Sequence, residues 1–350
     1  MMHEADLAHC REAIKHGSKS FYAASKLLPA RVRDPALVLY AFCRVADDAV
    51  DLVEAKLAAV HELRDRLDRA YAGAPKDDPI ERAFASMVED VDMPRALPEA
   101  LLEGLHWDAM EFRYRTLSDV RAYSARVASA VGAMMSVLMG VREPNALARA
   151  CDLGVAMQLT NIARDIGEDA EAGRLYLPIN WFDEAGLDVD AFIADPSPRI
   201  EVTKMAKRLL AEANRLYYRS EAGISELPHS CRPGIYAARY IYAGIGRHIR
   251  KAGFDSVTRR AHTGLTEKLG LALVSLGAAA ADTVMPRSPV LLAPPLAETA
   301  FLVDAAAVVD GDAKPWGATA SETLVSTFAR LRERELAATG DNNMLSAGQS

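Results

Sequence analysis

Apolar positions recur along most of this chain with the three-to-four-residue period of an α-helix. The alternating Val, Ile and Thr runs that mark strands are missing. The pattern predicts helices near 5–27, 35–53, 55–72, 79–91, 98–112, 119–140, 145–167, 199–222 and 232–251. Proline punctuates them: Pro29 and Pro35, then Pro75, Pro94, Pro98 and Pro144. A longer break over 173–198 holds Pro178, Pro196 and Pro198. Asp34 followed by Pro35 reads as an N-cap with proline at the first helical position. The expected fold class is all-α.

Two of these helices are too apolar to belong on a surface, and both carry acids. The first has Leu37, Val38, Leu39, Ala41, Phe42, Val45, Val50 and Leu52 nearly all round. Its exceptions Tyr40, Arg44, Asp47 and Asp51 follow offsets 0, 4, 7 and 11, which is one stripe. In the second, Gln158, Asn161, Asp165 and Asp169 follow offsets 0, 3, 7 and 11 among Leu153, Val155, Met157, Leu159, Ile162 and Ile166. Like charges four residues apart cost a few tenths of a kcal/mol, about 0.2–0.5. Burying them unpartnered costs several kcal/mol each. Such stripes imply a wet or ion-filled interior.

A single acid pair of this kind is most often a helix-surface ion-pairing pattern, as Arg44 with Asp48 or Arg164 with Glu168 would give. Two pairs, both on apolar helices and both with amide or arginine companions, argue for a site. Carboxylates without His or Cys favour hard ions, and Mg²⁺ binds through one or two carboxylates plus phosphate oxygens. The sequence holds no P-loop, GxGxxG or HExxH pattern, so nucleotide phosphates and zinc fit poorly. A diphosphate ester with a large apolar tail fits better. Metal and arginine would stabilise departing diphosphate while apolar walls shield a carbocation from water.

Bulk properties narrow the picture. Half of the 350 residues are hydrophobic, which suits a large core. The net charge of −7 and the lack of a basic run argue against a nucleic-acid partner. Cys10, Cys43, Cys151 and Cys231 are scattered, without metal-ligand spacing, and read as reduced thiols. With no signal peptide read at the N-terminus, a cytoplasmic protein is expected, with peripheral membrane contact left open. Residues 1–281 are expected to form one domain. Residues 282–350, Ala/Pro/Gly-rich with a polar end, are expected to form a weakly structured extension.

The chain resembles the squalene/phytoene synthase family, and within it the bacterial phytoene synthases. The likeness spans about 7–268 and rests on GSKSFYAASKLLP (17–29), the first aspartate block and YSARVASAVGAMM (123–135). It continues through QLTNIARDIGEDAEAGRLYLP (158–178), CRPGIYAARYIYAGI (231–245) and GFDSVTRRA (253–261). The resemblance implies an isoprenoid synthase fold, a helical bundle around a central apolar cavity. It implies head-to-head condensation of two geranylgeranyl diphosphates through a cyclopropylcarbinyl diphosphate to phytoene, with Mg²⁺ or Mn²⁺ and without NADPH.

By the same resemblance, Asp47, Asp51, Asp165 and Asp169 are metal-binding carboxylates, helped by Asp48 and Asn161. Arg44, Gln158, Asn161 and Arg164 contact diphosphate or the metal shell, and Arg260 reaches a diphosphate. Ser18, Lys19, Ser20 and Phe21 match a flap over the substrate, and Tyr40 and Tyr242 line the reaction centre. Gly17 departs from relatives that carry histidine there. A downstream phytoene desaturase is the expected recipient of the product. The alternatives are a C15-using relative making squalene, dehydrosqualene or hydroxysqualene diphosphate, and a non-enzymatic isoprenoid-binding scaffold.

Overall fold

A computed structural model describes residues 3–17, 24–51 and 56–307. The side chains of residues 13, 15–17, 47–51 and 56 lie outside that description. The chain divides into a compact unit, Met1–Asp312, and a second, Ala313–Ser350, which lies outside the described residues. The described residues are helical, with no strand among them. In chain order the helices are α1 (Glu4–Gly17), α2 (Ala30–Asp51), α3 (Lys56–Tyr71), α4 (Pro79–Asp90) and α5 (Ala96–Ala109). Next come α6 (Leu117–Ser124), a π-helical turn (Ala125–Ser129) and α7 (Ala130–Leu138). The long α8 (Pro144–Glu171) leads through α9 (Ile179–Ala185) and α10 (Val189–Ala194) to α11 (Ile200–Ile224). The last are α12 (Arg232–Lys251), α13 (Leu265–Ala281) and α14 (Ala300–Ala307).

Helix α8 is the spine, about 42 Å long at 1.5 Å per residue. Glu143 caps its start by accepting the Ala146 N–H at 2.7 Å, with Pro144 opening the first turn. Gly173, at φ +75°, adopts the left-handed turn that ends it. Leu159, Ile162 and Ile166 of α8 pack with Leu209 and Leu216 of α11, Phe182 of α9 and Ile245 and Ile249 of α12. Small residues let the neighbours approach. A Cβ on Gly154 would lie 2.6 Å from the Ser129 Cα, so only glycine admits the π turn there. Helix α2 is fixed from its other side, where Phe42 stacks on Phe84 of α4 with ring centroids 3.8 Å apart.

Among the described residues the predicted helices are present. The one expected over 5–27 is described as Glu4–Gly17, with 18–23 outside the description. Helices α13 and α14 were not predicted, and three further differences stand out. Helix α2 begins at Ala30, and Pro35 lies inside it rather than at its start. The Val32 and Arg33 N–H groups bond back to the Pro29 carbonyl, and buried Val32 joins Ala36 and Leu39 on the core side, so the helix forms ahead of the proline. The break over 173–198 contains the short helices α9 and α10. The packed chain also runs past the boundary expected at 281. Leu302, Val303 and Ala306 of α14 are buried, and the run 289–294, which opens with a 3₁₀ turn at Pro289–Leu292, is clasped by Arg149. That fully buried guanidinium donates to the carbonyls of Val290 at 2.6 Å and Ala293 at 2.9 Å. Its Nε meets Asp152 at 2.7 Å, and Arg219 meets the same carboxylate at 3.0 Å and the Pro294 carbonyl at 2.8 Å.

Candidate active site

The carboxyl-terminal half of α8 carries the second polar stripe at the edge of the core. Asp165 and Asp169 are one turn apart and half-buried. Arg164 forks onto Asp165, Nε to Oδ1 at 2.7 Å and Nη2 to Oδ2 at 2.5 Å. Arg260 adds its Nε at 2.9 Å from Asp165 Oδ1 and 3.2 Å from Glu168. Gly167 makes the Arg260 contact possible. Its bare Cα lets the turn at 255–258 settle on α8, so that its N–H bonds the Ser256 carbonyl at 2.9 Å. A Cβ there would stand 2.2 Å from the Val257 carbonyl oxygen.

The two acids differ electrically. Burial pushes the Asp165 carboxyl up, but the hydrogen bonds and charges of Arg164 and Arg260 outweigh it and hold the group below the ordinary carboxylate range. Burial, then the negative charges of Asp165, Asp108 and Glu168, push Asp169 up to about 7, against the opposing charge of Arg174. This is a carboxylate cluster short of positive charge. The Asn161 Oδ1, two helical turns before Asp169, is buried without a hydrogen-bond partner. Among the described residues no three acidic, imidazole or thiol groups converge to enclose a metal ion. Asp165, Asp169 and Asn161 are oxygen donors of the kind a hard cation takes.

One turn before Asp165 the polar stripe meets an apolar cavity of about 290 Å³. Gln158, Asn161 and Tyr242 form its polar end, and Val131, Met135, Leu153, Met157, Ile235 and Ile241 supply apolar wall. The lining follows α8 from Asn161 back to Ala146 and Arg149, about 22 Å along the helix axis. Tyr242 is half-buried, and desolvation raises the pKa of its phenol, with the charge of Arg164 opposing.

On α2, Tyr40 is half-buried and Arg44 exposed, while Asp47, Asp48 and Asp51 continue the same helix with side chains outside the described residues. Ser18, Lys19, Ser20 and Phe21 also lie outside the described residues. The structure therefore brings together Gln158, Asn161, Arg164, Asp165, Asp169, Tyr242 and Arg260. Sequence reasoning missed Asp108, near the end of α5. Tyr123 and Tyr176 each donate to its carboxylate at 2.8 Å, and its charge reaches Asp169. An acid closing the apolar run LLEGLHWD was the available signal.

The model of the family described as squalene/phytoene synthase matches residues 14–267, nearly three-quarters of the sequence. The chain belongs to the squalene/phytoene synthase family. Both aspartate blocks, the cavity-lining helices and Arg260 fall inside that span. Among relatives, a phytoene synthase of Rhodobacter capsulatus is 56% identical over 338 residues, covering 96% of this chain and 98% of its own. A 15-cis-phytoene synthase of a Paracoccus species is 42% identical, covering 79% of this chain and 92% of that one. The crystal structure of a dehydrosqualene synthase in complex with ligand superposes with a TM-score of 0.71 at 28% identity, over 79% of this chain and 98% of the other. This family member thus has an isoprenoid synthase fold.

Proposed function

We propose that this chain condenses two molecules of geranylgeranyl diphosphate head to head into phytoene, the committed step into carotenoids. The observation that carries the reading is the apolar cavity ending one turn from the Asp165–Asp169 pair, in a chain 56% identical to a phytoene synthase. The C–O bond of one allylic diphosphate breaks, and the double bond of the second captures the cation. Loss of a proton then closes a cyclopropylcarbinyl diphosphate. A second C–O cleavage, rearrangement and loss of another proton give the C40 hydrocarbon and a second diphosphate. No electron is added, so no NADPH is consumed.

The donor set fits a divalent ion, Mg²⁺ or Mn²⁺. The orphaned Asn161 oxygen and the charge deficit at Asp169 are what such an ion relieves. Asp165, Asp169 and Asn161 would hold it on α8, and Asp47, Asp51 and Asp48 on α2. Bound metal would neutralise diphosphate charge and ease its departure. Arg164, Arg260, Arg44 and Gln158 bind and orient the diphosphates, and Ser18, Lys19, Ser20 and Phe21 cover them. Tyr242 and Tyr40 flank the reacting carbons. The apolar walls keep water from the cation, and lost water is what separates hydrocarbon formation from hydrolysis. A hydrocarbon product belongs in a bilayer, so we place the protein in the cytoplasm in peripheral contact with a membrane, handing product to a phytoene desaturase.

Purified protein incubated with Mg²⁺ and either the C20 or the C15 diphosphate tests the reading. Phytoene from the C20 substrate, with or without NADPH, is expected. A C30 product from the C15 substrate alone would move the chain to the dehydrosqualene-forming side of the family.

A further inference from the structure

Helix α13 is amphipathic the wrong way round for a helix on a protein in water. It packs antiparallel on α12, with Glu267 turned to that helix and Thr266 exposed. Glu267 meets His248 at 2.5 Å and Arg247 at 3.3 Å, and Ser275 is buried. Just past the helix, Asp282 accepts the Tyr236 hydroxyl at 2.5 Å. Its outer face carries Leu265, Leu269, Leu273 and Leu276 at offsets 0, 4, 8 and 11, one stripe of a helix. Leu265 is 75% exposed, Leu269 61% and Leu273 71%, and Val274, Val284 and Met285 extend the patch. A surface helix normally turns this stripe to the core. A contiguous apolar surface of this kind marks a contact with an apolar medium or partner.

Charge decides which. The protein as a whole is −7, yet the start of the stripe is flanked by cations. Arg250 and Lys251 are exposed at the end of α12, beside the start of α13. Beyond Met285, Arg287 is 74% exposed but ion-paired with Glu226 at 2.8 Å. The outward residues of α13 include no acid. Pairing two copies stripe to stripe in parallel would set these cations side by side. An anionic lipid surface meets both features at once. No described helix is long and apolar enough to cross a membrane, so this one would lie in the interfacial plane, about 26 Å of it.

We propose that α13, with Val284 and Met285, seats this protein on anionic lipid bilayers. The apolar seat lies outside α12, whose other face walls the cavity through Ile235, Ala238, Ile241 and Tyr242. That the seat serves release of a hydrocarbon rests on the function proposed above; the lipid contact itself does not.

The test is co-sedimentation of the full chain with vesicles of phosphatidylcholine containing phosphatidylglycerol, and with phosphatidylcholine alone. Wild type should bind the anionic vesicles more strongly. The triple variant Leu269→Gln, Leu273→Gln, Leu276→Gln should lose roughly tenfold or more of that affinity. Its helical circular dichroism and its turnover in detergent should be unchanged. Arg250→Gln with Lys251→Gln should weaken binding to the anionic vesicles only, and Ile200→Gln, an exposed apolar control elsewhere, should change nothing. Vesicle binding by the triple variant equal to wild type would overturn the proposal. So would a wild type that stays in the supernatant, or a wild-type dimer in sedimentation that the leucine substitutions make monomeric. Turnover in detergent is read separately, so failure of the proposed chemistry and failure of the lipid seat are distinguishable.

Discussion

Asp165 and Asp169 share one helix face but sit in opposite electrostatic conditions. Asp165 has two guanidinium partners, whereas Asp169 is half-buried near other carboxylates and rises to about 7. A carboxyl raised in this way holds its proton more tightly in the folded than in the unfolded chain. Its contribution to stability is full below the ordinary aspartate value of 3.8 and is lost as pH rises through about 7. Metal-free protein is therefore expected to lose thermal stability across that window. Saturating Mg²⁺ should restore stability above pH 7, and Asp169→Asn should flatten the metal-free profile. Melting temperatures in EDTA and in Mg²⁺ check this, and a metal-free protein that gains stability over the same window would remove the charge deficit from the account. Asp165 and Asp169 were visible in the sequence because acids on an apolar helix demand an explanation. Their inequality was not, since Asp108 comes from α5 and Arg260 from a turn about 95 residues downstream in the sequence.

Most helices were legible because each buries an apolar stripe whose period the sequence displays, and prolines mark where the stripes stop. The misreadings have physical causes. Pro35 looked like a start because proline favours the first turn, but burial of Val32 carries α2 back to Ala30. Helix α13 was not predicted because its sequence is apolar nearly all round from Gly270 to Ala281, so the period of the Leu265–Leu276 stripe does not stand out. The glycine of NIARDIGEDA has its own role: Gly167 is the place where the turn at 255–258 lands on α8. Gly167→Ala would drive a Cβ into the Val257 carbonyl, so the turn and Arg260 must move away. We expect a loss of about 1–3 kcal/mol in unfolding free energy, the scale of overpacking, together with lower turnover. Urea midpoints and steady-state rates on the same preparation check both. Unchanged values for both would mean that the turn shifts at no cost and Arg260 does not need it.

At the scale of the whole molecule, the boundary expected at 281 misjudged Pro- and Ala-rich sequence as unable to pack. Residues 289–294 hold no more than a 3₁₀ turn, but their carbonyls are what the buried Arg149 guanidinium needs, and that partner lies about 140 residues away in the chain. Ending the chain after residue 285 would strip Arg149 of these acceptors and α8 of buried Leu302 and Val303. The expected cost is on the order of 5 kcal/mol, comparable to the whole stability of many domains, so the truncated chain should unfold at much lower urea than the full one. A full-length midpoint in the truncated chain would show the clasp to be dispensable. The central claim is that α2 and α8 share one diphosphate-ionising centre. It is tested most directly by diphosphate release from geranylgeranyl diphosphate with Mg²⁺, measured for Asp47→Asn and Asp165→Asn beside wild type. Both variants should keep wild-type circular dichroism and lose turnover by roughly 100-fold or more, since each removes a ligand that stabilises departing charge. Near-normal release by either folded variant would contradict a shared centre.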